Sequence, residues 1–251
     1  MTRCCSLLLL LFAASLFAAT EPEAPEHWPI EARRDIKWLQ ISGQSPVPAL
    51  LRYSEEVRTV GNAVLIPEAG KQVVSPYQMM YLRRSLASLG WNTLLIEPPS
   101  WPDTQDSKFW LSYRLELVTR IKAALALTAG LKGRTMIVAE GLSAASTMKL
   151  FADGELPQPE ALVLLSPYVP DVAQNQEIIG WFGQSQYPLL DFYTPFDNRW
   201  AQSTVQQRAV AARKQVRLDF RQVNLAVQPP NDSGQRWLTR QIHGWIDHLG
   251  W

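Results

Sequence analysis

"TMIVAEGLSAAS", residues 135–146, decides how this chain is read. Five residues from Thr135 to Ala139 form an apolar run with β-branched members, which suits a buried strand. Small and helix-forming residues follow from Leu142 onward, the composition of a tightly packed helix. Glu140 and Gly141 lie between them, too few residues for anything but a sharp turn. Gly141 stands at the apex, where glycine alone adopts strained backbone angles without cost to a side chain.

Working outward, strands and helices alternate. "DIKWLQ" and "VPALLRY" read as two strands joined by the turn "ISGQSP". "GNAVLIPEAG" is a continuous apolar run ending in a glycine loop. "SPYQMMYLRRSLASLG" has helical spacing, with Gly90 as its C-cap. "WNTLLIEPP" is a strand stopped by Pro98 and Pro99, and "DSKFWLSYRLELVTRIKAALALTAG" a long helix capped by Asp106 or Ser107. After the quoted segment come the strand "EALVLLSP", a short helix "QNQEIIGWFG", the strand "YPLLDFYTPFD" and a helix "RWAQSTVQQRAVAARKQ". A strand "VRLDFRQVNLA" precedes the closing helix "SGQRWLTRQIHGWIDHL". Trp237, Leu238, Ile242, Trp245, Ile246 and Leu249 share one face of that helix. About eight continuous apolar strands alternating with helices predict a mostly parallel sheet covered on both faces, with an antiparallel N-terminal hairpin at its edge. No internal repeat or linker interrupts the pattern. Residues 35–251 are expected to form one α/β domain, a size that buries a substantial core.

The N-terminus differs. Arg3, the apolar stretch Leu7–Phe17 and the small residues Ala18, Ala19 and Thr20 have the form of a secretory signal peptide. The stretch falls short of the ~20 apolar residues of a bilayer span, although an uncleaved anchor is the alternative. Residues 1–20 are read as the leader, 21–34 as an N-terminal segment, and the compartment as the periplasm, with no stable transmembrane anchor after cleavage. Both cysteines, Cys4 and Cys5, would leave with the leader. A mature chain without cysteine has no disulfide, thiolate metal site or Cys nucleophile. The full chain carries 24 Lys and Arg against 23 Asp and Glu, and loss of Arg3 balances them. That balance, with no basic stripe, argues against a nucleic-acid partner.

The order of "VLIPEAG", "LRRSLASLGWNTLLIEPP", "VAEGLSAA", "PLLDFYTPFD" and "RQIHGWI" resembles the α/β-hydrolase fold over roughly residues 35–251. More narrowly, the chain is similar to an uncharacterised bacterial family of exported α/β-hydrolase-like proteins, a domain of unknown function. The resemblance implies a three-layer α/β sandwich. It carries no agreed reaction.

Hydrolases of this fold set a nucleophile in G-x-S-x-G at the elbow. Aligned on that pentapeptide, Ala139, Glu140, Gly141, Leu142 and Ser143 put glycine where the serine belongs. Ser143 falls in the first helical turn, as a packing residue or a displaced nucleophile. The histidine is expected between the last strand and last helix, yet "AVQPPNDSGQ" has none; the chain's three are His27, His243 and His248. Asp197 in "TPFDN" does match the acid position. No metal-binding spacing, dinucleotide fingerprint or P-loop is present, so neither metal nor cofactor is expected.

Ligands of open α/β sheets bind at the carboxyl ends of strands. Those ends read Glu68, Glu97, Glu140, Ser166 and Asp197, an acidic crevice if they converge and separate loop acids if they do not. Trp101, Trp110 and Trp200 follow the same ends, as a rim or as packing. Three readings follow. The first is a non-catalytic binding or scaffolding protein of the cell envelope, its partner a periplasmic protein or small envelope ligand. The second is a hydrolase of envelope esters or amides using Ser143 or Ser166 with Asp197. The third is a metal-assisted or acid–base enzyme using Glu68, Glu140 and Asp197.

Overall fold

The computed structural model describes residue 26 and residues 28–74, 77–102, 107–215, 219–225 and 232–251. The leader, Asp106 and loop residues 226–231 lie outside the described residues. In chain order the elements are α1 (Ile30–Asp35), β1 (Ile36–Leu39), β2 (Val47–Arg52), β3 (Gly61–Ile66), α2 (Tyr77–Ala87), β4 (Trp91–Ile96), α3 (Trp110–Ala129), β5 (Arg134–Glu140) and α4 (Gly141–Ala152). They continue with β6 (Ala161–Leu165), α5 (Val172–Gln184), β7 (Leu189–Tyr193), α6 (Arg199–Ser203), α7 (Val205–Arg213), β8 (Phe220–Asn224) and α8 (Asp232–His248).

The strands form one sheet in the order β1-β2-β4-β3-β5-β6-β7-β8. β2 runs antiparallel to both β1 and β4, and the remaining pairs are parallel. This is the expected architecture. Alternate side chains of each strand enter opposite cores. Val64, Ile66, Ile137, Ala139, Leu162 and Leu164 pack with Leu117, Ile121, Met148 and Ile178 of α3, α4 and α5. Ala63, Leu65, Met136, Val138, Val163 and Leu165 pack with Leu82 and Leu86 of α2 and with Leu238, Ile242, Trp245 and Ile246 of α8. Because both faces are covered, the central strands are buried at successive positions instead of alternately, as in β3 and β4.

Four local expectations change. Gly90 is not the cap of α2, which ends at Ala87; at φ +94° it turns the chain into β4, and a Cβ there would lie 2.9 Å from Val60 Cγ2. A short 3-10 turn, Ser107–Phe109, precedes α3, which has no side-chain cap. The helix expected over 199–215 is broken at Thr204, whose buried hydroxyl accepts from Arg208 Nη1 at 3.1 Å. Trp237 leaves the apolar face of α8 and is 38% exposed, because it sits a full 100° step around the helix from buried Leu238.

Candidate functional site

β5 ends at Glu140 in extended backbone, Gly141 takes φ +58°, and α4 starts at once. The elbow is therefore present, with glycine at its apex. α4 has no side-chain cap of its own. Its exposed N-terminal amides need an acceptor, and it comes from another strand. Glu68, two residues past β3, turns its carboxyl into the elbow. Oε1 accepts from the Leu142 amide at 3.1 Å and from the Ala69 amide at 3.0 Å. Its other oxygen, Oε2, lies 1.4 Å from where a Cβ on residue 141 would stand. No side chain fits at 141 while Glu68 holds this position.

In hydrolases of this fold, two such amides bind the oxyanion: one from the residue after the nucleophile, one from the loop after β3. The amides of Leu142 and Ala69 likewise converge, here on one carboxyl oxygen of Glu68.

Glu140 accepts from the backbone N–H of Glu68 and faces the same space. Burial, followed by the charge of Glu140, pushes the Glu68 carboxyl up to about 8, despite its two amide donors and Lys71. Glu140 is raised as well, first by burial and then by Asp197, against the pull of Lys71 and the Glu68 amide. The Tyr168 hydroxyl also meets Glu68, and burial raises it above its ordinary range.

On the far side, Ser166 follows β6 directly with φ +52°, the one non-glycine residue with positive φ among those described. Its hydroxyl donates to Asp197 Oδ2 at 2.7 Å, which also accepts from the Thr194 amide at 2.7 Å. Glu68, Glu140, Gly141, Ser166, Tyr168 and Asp197 enclose a cavity of about 200 Å³, with Gln78, Thr194 and Asn198 adding polar groups. The ends of β3, β5, β6 and β7 thus converge.

The other named residues lie elsewhere. Glu97 borders a separate cleft with Pro48, Glu116 and Arg120, because β4 sits between β3 and β2. Burial raises its carboxyl while Arg120 lowers it. Ser143 is fully buried; its hydroxyl donates to the Pro67 carbonyl at 2.5 Å and meets the Tyr113 hydroxyl at 2.7 Å. Trp101 packs edge-on against Tyr113 at 5.6 Å, and Trp110 Nε1 donates to Ser146 within the core. Trp200 stacks on Arg199 in a neighbouring groove with Val172 and Asn175. None of these tryptophans rims the cavity. His243 and His248 lie on α8, 3.6 Å from Asp247 and 3.7 Å from Asp219, and neither lines it. Among the described residues no group of three or more His, Cys, Asp or Glu side chains has metal-holding geometry.

Sequence reasoning missed Tyr168, Thr194 and the amides of Ala69 and Leu142. Tyr168 and Thr194 follow strand ends, a signal that was available. A backbone amide leaves no mark in a sequence.

None of the curated proteins matches the chain. In structure it is similar to the esterase domain of a Rhodothermus marinus protein, with TM-score 0.63, 13% identity, and 84% of this chain and 96% of that one covered. It is similar to the apo form of Thermogutta terrifontis esterase 2, with TM-score 0.65, 12% identity and coverage of 86% and 94%. A dienelactone hydrolase from Anabaena variabilis gives TM-score 0.60, 14% identity and coverage of 85% and 96%. At these identities the likeness establishes the α/β-hydrolase-type fold and no activity. A family model matches residues 29–109 and 102–248, and the chain accordingly belongs to the family described as protein of unknown function, DUF3530.

Proposed function

We propose that this chain is an exported α/β-hydrolase-type protein that has given up acyl transfer and works by binding, in the periplasm, a protein or small ligand of the cell envelope. One observation carries the reading: the Glu68 carboxyl occupies both the oxyanion hole and the volume of a nucleophile's side chain. Acyl transfer needs both places free. The histidine-free sequence between β8 and α8 agrees, since a serine without a general base is a weak nucleophile. Arg3 with the stretch Leu7–Phe17 supports export, and a fusion lacking residues 1–20 should stay in the cytoplasm.

A second reading, a hydrolase of envelope esters or amides, is favoured by the short Ser166–Asp197 hydrogen bond at the cavity wall. A fluorophosphonate probe, which labels only activated serines, decides between them. Purified mature protein should remain unlabelled and leave p-nitrophenyl esters intact. Stoichiometric labelling that disappears in Ser166→Ala would replace the binding reading with the hydrolase.

A further inference from the structure

The Ala69 and Leu142 amides converge on one oxygen atom, and the chain itself supplies that oxygen. We propose that these amides form a carboxyl-binding site whose resident ligand is Glu68, and that Glu68 leaves it when ionised beside Glu140. The proposal rests on the same elbow as the binding reading, but not on whether the protein is catalytic.

The geometry has three parts. Oε1 is held at 3.0 and 3.1 Å by two amides, one of them in the first turn of α4, which has no side-chain cap of its own. Oε2 rests over Gly141, so the carboxyl closes the cavity floor. Glu140, at the end of the adjacent parallel strand, faces the same cavity and takes its own hydrogen bond from the Glu68 amide. Two carboxyls so placed cannot both ionise without repulsion, so one proton is retained between them.

The groups facing Glu68 are Glu140 from β5, Lys71 and the Ala69 amide from its own loop, Leu142 of α4, and Tyr168 after β6. Tyr113 of α3 also senses its charge, and Asp197 stands behind Glu140. The amides and Lys71 favour an ionised carboxylate in place, while burial and Glu140 oppose it, and the opposing pair is the larger. The protonated acid therefore docks, and the anion is driven toward the open cavity, where water can solvate it. Removal of the Glu68 side chain should leave a vacant hole of the size and polarity for a small neutral carboxyl or amide group.

The first experiment follows the amide resonances of Ala69 and Leu142 in the whole mature protein from pH 5 to pH 9. In wild type both should shift together with a midpoint near 8. The step should vanish in Glu68→Gln, and in Glu140→Gln its midpoint should fall by about a unit or more. Should Glu68→Gln fail to fold, wild type and Glu140→Gln carry the same comparison. The second experiment adds acetamide, a neutral isostere of the docked acid, to Glu68→Ala. A saturable rise in melting temperature in Glu68→Ala, absent in wild type, is expected. A wild-type midpoint near 4.5, a midpoint indifferent to Glu140→Gln, or no response to acetamide overturns the proposal. Fluorophosphonate labelling tests catalysis separately, so failure of one reading is visible apart from failure of the other.

Discussion

Asp191 and Glu68 are both carboxyls set deep against the same sheet, and their surroundings are opposite. Asp191 lies in the middle of β7, fully buried, with Arg208 Nε and Gln222 Nε2 each 2.8 Å from its Oδ2. Arg208 is also fully buried and donates to the Ala201 carbonyl and the Thr204 hydroxyl. That ion pair, with the bonds of Arg208 to Ala201 and Thr204, ties α6 and α7 to the sheet. Among the described residues no buried cation faces Glu68, and the nearest positive charge is that of exposed Lys71. Glu68 is held by two backbone amides and faces another acid. The comparison separates an acid that is part of the frame from an acid held at a strand end, where ligands of such sheets bind.

The largest expected effect lies at the framed acid. Arg208→Met leaves Asp191 buried without its cation, which typically costs ~3–5 kcal/mol. Urea melts should show that loss, and a variant as stable as wild type would remove the contrast on which the comparison stands. Next comes the elbow. Gly141→Val meets both the positive φ and the Glu68 carboxyl, and a loss of about 1–3 kcal/mol is expected. In a Glu68→Ala background the steric part should disappear and the backbone part remain, so a double-mutant cycle should give clear coupling. Additive losses would mean that Glu68 does not occupy the elbow in solution.

The pH dependence is smaller per step and has a definite sign. Folding raises the Glu68 carboxyl from near 4.5 to about 8. Between those values the folded chain holds a proton that the unfolded chain has released. Stability contributed by Glu68 is therefore complete below 4.5 and lost as pH rises toward 8, at about 1.4 kcal/mol per pH unit. Melts at pH 5, 6, 7 and 8 should slope downward in wild type and less steeply in Glu68→Gln. A stability that climbs across this range at the same rate in both proteins would break the assignment. The smallest effect is expected at Glu97, outside the cavity. Glu97→Gln, at a half-buried acid outside the elbow, should change stability by no more than about 1 kcal/mol, and should leave the Ala69 and Leu142 resonances in place.

The order of strands and helices was legible because covered strands carry runs of consecutive apolar residues and covering helices repeat with their own period. Gly141 as the apex was legible for a related reason: two residues between strand and helix leave room only for a tight turn. Four of the five strand-end residues named from the sequence, Glu68, Glu140, Ser166 and Asp197, do share one cavity. Glu97 does not, since local pattern carries no information about strand order and β4 lies outside β3. The tryptophans show the same limit: a residue following a strand can rim a cavity or pack inward, and only its neighbours decide which.

The sequence by itself determined the alternating architecture, the glycine at the elbow and the absence of histidine from residues 226–235. These depend on neighbours along the chain. Only the tertiary structure decided that a carboxyl from the loop after β3 occupies the hole at the start of α4. That contact joins residues 74 positions apart. One partner is a backbone amide, which every residue but proline possesses, and its place is set by the packing of two parallel strands.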